Sequence, residues 1–200
     1  MYPFFAIFLV FCLWVRFKLK KSSHDSEKNK SNFFELESEA NMTRKKSIDN
    51  LDYIIFSEKS IPINEINDDE LKKIQQELLN FRNKKIINLS GITNTELKKL
   101  YGPANLPDLT EYDKNYLDFV RTLHNYALLL SQNNYTADAI KVLEYSVEIG
   151  TDMGISYKLL ADLYVSQNMK YKINDLLNKS DNINNLSRKN VIGYLKDCID

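Results

Sequence analysis

The sequence predicts an all-α protein: two helical hairpin repeats and a closing helix, preceded by extra helices and an apolar N-terminal helix. Three observations carry this. The pattern Leu123-x-x-Tyr126-Ala127-x-x-Leu130 returns about 34 residues later as Tyr157-x-x-Leu160-Ala161-x-x-Tyr164, large, large, small and large along one helical face. A second periodic run follows each copy, Ala139-Ile140-x-x-Leu143-x-x-x-Val147 and then Ile173-x-x-Leu176-Leu177. Finally, Met1 to Val15 carries no charged side chain, and a basic cluster follows at once.

Composition sets the outer bounds. Two hundred residues hold one domain of ordinary size and an appendage. Basic and acidic side chains balance at 27 each, so no global field selects nucleic acid or an acidic partner. The chain is rich in Lys, Asn and Ile and poor in Gly and Pro, as an AT-rich genome such as that of a low-GC bacterium would encode. Cys12 and Cys198 make neither a disulfide framework nor a metal cluster.

Through Leu19 the apolar run is about 28 Å long as a helix, close to the hydrocarbon thickness of a bilayer. Arg16 and Lys18 can snorkel to the headgroups, and Tyr2 and Trp14 suit the interface. A cleaved signal peptide needs a basic n-region and a small-x-small site, and neither is present. A lipoprotein signal needs small residues before its cysteine, whereas Cys12 follows Leu9-Val10-Phe11. The expectation is a single-pass membrane anchor over residues 1–21. Arg16, Lys18, Lys20 and Lys21 all flank its C-terminal side, so the positive-inside rule puts the N-terminus outside and the folded region in the cytoplasm.

Residues 22–32 are polar, lack apolar periodicity and read as a flexible tether with a solvated His24. A helical region, 33–112, follows. Phe33, Leu36 and Ala40 make an apolar stripe, with Glu35, Glu37 and Glu39 early and Arg44, Lys45 and Lys46 late, as a helix dipole favours. Leu51 to Phe56, β-branched and aromatic, fits either an extended strap or a strand. Asn67-Asp68-Asp69-Glu70 caps a helix that buries Leu71, Ile74, Leu78 and Phe81. Ile86 to Leu89 is an apolar connector. Thr95 is expected to cap a short helix closed by Gly102 and Pro103, and Asn105 to Tyr112 reads as irregular.

Residues 113–200 hold the repeats. Helices are expected from Asp113 to about Gln132, from Tyr135 to Gly150, and as a pair from Met153 to Ser180 turning at Gln167-Asn168. The closing helix, Ser187 to Ile199, carries Val191, Leu195 and Cys198 or Ile199 on one face.

The doubled signature resembles that of the tetratricopeptide (TPR) repeat family, whose unit is a helix–turn–helix with a W-x-x-L-G-x-x-Y first helix and an Ala-led second helix. The likeness covers roughly Val120 to the C-terminus. It implies packing roles for Leu123, Tyr126, Ala127, Leu130, Ala139 and Leu143, and for Tyr157, Leu160, Ala161 and Tyr164. It also implies a concave groove lined by Arg121, His124, Leu128 and Ser131, then by Lys158, Asp162 and Val165, and it implies binding of a protein or peptide. The groove offers His124 and Leu128 where a carboxylate clamp wants Lys and Asn, so that ligand is not expected. About three repeats make a self-supporting array, so residues 33–112 are expected to pack on the two present here.

Chemical signatures are sparse. The five glycines form no phosphate loop or dinucleotide fingerprint, and His24 and His124 stand too far apart for His-x-x-x-His metal spacing. Asp68-Asp69-Glu70 at a helix start reads as capping rather than as a metal or acid–base site. His124 fits either a plain polar helix face or the weakly cationic centre of a peptide groove. Tyr126, Tyr135, Tyr145, Tyr157, Tyr164 and Tyr171 have no basic face beside them and read as packing rather than base stacking. The sequence therefore points away from an enzyme, a cofactor, a metal, a small-molecule substrate or nucleic acid. It points to a membrane-anchored, cytosol-facing adaptor or scaffold, or alternatively to an accessory subunit of a cell-envelope membrane complex recognised through its transmembrane helix.

Overall fold

The computed structural model describes the backbone of residues 3–63, 68–183 and 185–199, and their side chains except at 3–7, 9–10, 13, 21–29, 181–182 and 185–186. Among the described residues the secondary structure is entirely helical. The α-helices are α1 (Pro3–Asn41), α2 (Asp69–Leu79), α3 (Asn94–Tyr101), α4 (Leu106–Gln132), α5 (Thr136–Glu148), α6 (Gly154–Ser166), α7 (Ile173–Asn178) and α8 (Asn185–Asp197). The chain divides into two units, Met1–Asp49 with Gly91–Pro107, and Asn50–Ser90 with Asp108–Asp200.

In the first unit α1 runs unbroken for 39 residues. No Gly or Pro lies between Phe4 and Ile61, and Ser, Asn, Asp, Lys and Glu each cost a helix only tenths of a kcal/mol, about 0.7 at most. The backbone is accordingly helical through residues 22–32, where the sequence reads as a tether. About half of the side chains in the expected span over residues 1–21 lie outside the described ones. Among the described residues no helix is long and apolar enough to cross a membrane.

The far end of α1 meets α3. Ala40 is fully buried, Glu37 takes the Lys98 ammonium and a 2.7 Å hydrogen bond from the Thr95 hydroxyl, and Lys99 reaches Glu39 at 3.0 Å. Phe33 and Leu36 remain exposed, so only one residue of the expected stripe is seated. The cap of α3 is Thr93 rather than Thr95. Thr93 and Glu96 form a reciprocal capping box, with the Thr93 N–H donating to Glu96 Oε2 at 2.7 Å and the Glu96 N–H to Thr93 Oγ1 at 3.3 Å. Gly102 closes the helix at φ 87°, where a Cβ would also come within 2.7 Å of the Arg44 carbonyl oxygen.

Helix α4 starts at Leu106, so the stretch read as irregular is largely helical. Pro107 sits in its first turn, where its missing N–H is not needed and its fixed φ suits a helix. The core of the second unit forms around α4. Phe119 lies 5.0 Å from Phe56, 5.2 Å from Phe81 and 6.3 Å from Tyr145, ring centre to ring centre. Residues 51–56 form a strap, joined to the connector by the Ile54 N–H donating to the Ile86 carbonyl at 2.9 Å. The Tyr126 hydroxyl donates to the Pro62 carbonyl at 2.7 Å and accepts from Gln75 of α2 at 2.9 Å. Asp68 caps α2 by accepting from the Leu71 N–H at 2.8 Å, and Asn67 lies outside the described residues.

The turn from α4 to α5 and the turn that ends α6 close in the same way. Asn134 and Asn168 both adopt positive φ, at 65° and 57°. The next N–H, of Tyr135 or Met169, bonds back to the carbonyl of Leu130 or Tyr164 at 2.8 and 2.7 Å. Asn134 and Asn168 themselves donate to Ser131 and Val165. This is the Schellman closure, and asparagine tolerates the left-handed position it requires. Every repeat-packing residue inferred from the sequence is buried. Helix α7 is shorter than expected and flanked by 3-10 turns, Lys170–Lys172 and Lys179–Asn182. Helix α8 buries Val191 and Leu195, and Gly154 admits it, since a Cβ there would stand 2.7 Å from Val191 Cγ2.

Candidate functional site

Positions 121, 124, 128 and 131 fall at helical spacing on α4, and 158, 162 and 165 do so on α6. The structure does not use them alike. Arg121 is exposed and pairs with Asp118 one turn earlier at 3.1 Å. His124 is 8% exposed and its Nδ1 lies 3.1 Å from the Ser156 hydroxyl, which is fully buried. This pair joins α4 to α6. Burial holds the imidazole below the usual histidine range, so it is neutral at pH 7 and supplies no cationic centre. A serine beside a histidine has the composition of an activated nucleophile, but both groups here are closed off from an incoming substrate.

On α6 the charged positions are engaged by α8. The Lys158 ammonium donates to Asn190 Oδ1 at 2.6 Å and lies 5.0 Å from the centre of the Tyr194 ring. Asp162 accepts from the Tyr194 hydroxyl at 2.5 Å, and that bond, helped by burial, pushes the phenol up to about 12. Ser131 and Val165 are half-buried, and their carbonyls close the turns. Beside the exposed Arg121 and Asp162, this face also exposes apolar side chains, Leu117 at 41%, Leu128 at 37% and Ile155 at 55%.

Sequence reasoning missed Leu117, Ile155, Ser156, Asn190 and Tyr194. Leu117 and Ile155 were legible as members of the same spacing series, Leu117 one turn before Arg121 and Ile155 one repeat after it. Asn190 and Tyr194 stand four apart beside the buried Val191 and Leu195, but nothing in the sequence says which helix they meet. Among the described residues no three His, Cys, Asp or Glu side chains converge to hold a metal ion. No protein-family model, no curated protein and no solved structure matches the chain.

Proposed function

We propose that the protein is a membrane-anchored adaptor, built of TPR-like hairpins, that binds a protein or peptide on the α4–α6 face from the cytoplasmic side. The observation that carries this reading is the recurrence at one offset of the packing signature, the positive-φ asparagine and its hydrogen bonds. Exposed Leu117, Leu128 and Ile155 favour a polypeptide ligand, since exposed apolar side chains gathered on one face suit protein contact. The anchor is read from the uncharged run Met1 to Val15 and its orientation from Arg16, Lys18, Lys20 and Lys21. Each positive charge resists crossing at about 2.3 kcal/mol per 100 mV.

Co-purification from membranes tests the reading. Leu128→Asp with Ile155→Asp is expected to abolish recovery of the partners that the unaltered chain retains. Recovery undiminished by the pair would defeat the α4–α6 assignment. A reporter fused at the C-terminus is expected to be active only in the cytoplasm. A second reading is favoured by the exposure of Phe8, Phe11, Trp14, Phe17 and Leu19 along α1. In it the chain is an accessory subunit of a membrane complex, recognised through this helix. Deleting residues 1–21 would then remove every partner while the hairpins stay folded.

A further inference from the structure

Helices α5, α6 and α7 enclose a cleft of about 280 Å³ around Glu144. Its carboxylate oxygen Oε1 accepts two hydrogen bonds, from the Tyr164 hydroxyl and the Lys172 ammonium, each at 2.7 Å. The same ammonium lies 5.5 Å from the centre of the Tyr164 ring. A carboxylate beside an aromatic face is the chemistry of a cation site, one supplying charge and the other a quadrupole.

The receiving groups and the cation are held differently. Glu144 and Tyr164 stand on two packed helices, whereas Lys172 belongs to the turn Lys170–Lys172, which buries none of its residues. Burial pushes the Glu144 carboxyl up, and the Lys172 and Tyr164 hydrogen bonds outweigh it, so the group stays ionised. Glu148, Asp175 and Lys179 also line the cleft. With Lys172 withdrawn, three carboxylates would face one lysine.

We propose that this cleft recognises an arginine side chain of a partner polypeptide and that Lys172 occupies the site in the free protein. Glu144 Oε2 has no hydrogen bond among the described residues, which leaves an acceptor for the second arm of a guanidinium fork. The plane of the fork can lie on Tyr164, and the stem on Val147 and Leu176. The site is distinct from the α4–α6 face and does not depend on that reading.

The test titrates the full chain, with labelled valine and leucine methyls, with acetyl-Gly-Arg-Gly-amide and with its citrulline counterpart, which keeps the shape and removes the charge. The arginine peptide is expected to shift the Val147 and Leu176 methyls and the citrulline peptide to leave them. Lys172→Ala should tighten binding up to about fivefold, the range available from removing a half-exposed internal ion pair. Glu144→Gln in that background should abolish the response. Tyr164→Phe, which keeps the ring, should retain it and controls for loss of fold. Equal binding of the two peptides, no gain in Lys172→Ala, or a response that survives Glu144→Gln would each overturn the proposal.

Discussion

The buried His124 gives the fold one source of sensitivity to mild acid. The ring is neutral when folded because it is buried, and it regains its ordinary value of about 6.5 when the chain unfolds. Between those two values the unfolded state binds the extra proton. The contribution is therefore complete above about pH 6.5 and is lost as pH falls through the folded value. Urea midpoints at about pH 7.5 and about pH 5.5 should differ in the native chain, and His124→Gln should remove much of that difference. Ala161 acts through size rather than charge. It is fully buried where α6 packs, so Ala161→Leu should overpack the contact and cost about 1–3 kcal/mol in a denaturant melt. An unchanged midpoint would show that the contact is not close. The alanines were visible in the sequence because a small residue recurred within a large pattern. The burial of His124 was not, because a polar side chain at a face position carries no mark of what packs over it.

At the scale of elements, turn and cap chemistry decides where each helix stops. Asn134 and Asn168 sit in the left-handed region, which costs an ordinary L-residue about 1–2 kcal/mol. Asn168→Ala should lower stability by about 1 kcal/mol, and Asn168→Gly should match or exceed the native chain, as read by thermal melting. Equal loss in both would place the asparagine's value in its side chain instead. Thr93→Ala should likewise cost about 1 kcal/mol, since it removes one half of the α3 capping box, whereas Thr95→Ala loses only a bond to Glu37. The pattern Thr93-x-x-Glu96 was in the sequence, and a neighbouring threonine obscured it. The stretch Asn105 to Tyr112 reads as irregular, yet α4 begins at Leu106 with Pro107 in its first turn, where a proline starts a helix without cost.

For the whole molecule, the core of the second unit is assembled from two separate stretches of chain. Phe56, Ile61, Leu71, Leu78, Phe81 and Ile86 share one buried cluster with α4 to α8. A fragment beginning at residue 108 should therefore expose Phe119 and the Tyr126 face. It should melt without a cooperative transition or aggregate, whereas residues 50–200 should unfold in one step by far-UV circular dichroism. Cooperative melting of the shorter piece would make 50–90 an accessory layer.

Periodicity alone determined that the stretch from Asp113 onward is helical, and the doubled signature determined which of its side chains face inward. Both are local: a 3.6-residue period is written within each helix and needs no partner to be read. Which helices meet was decided only by the tertiary structure. The strap's bond to the connector, the hold of Tyr126 on Pro62 and Gln75, the closure of α8 over Lys158 and Asp162, and the cleft around Glu144 all join residues distant in sequence. Their energy comes from burying one element's face against another, and a single sequence encodes the faces without encoding their pairing.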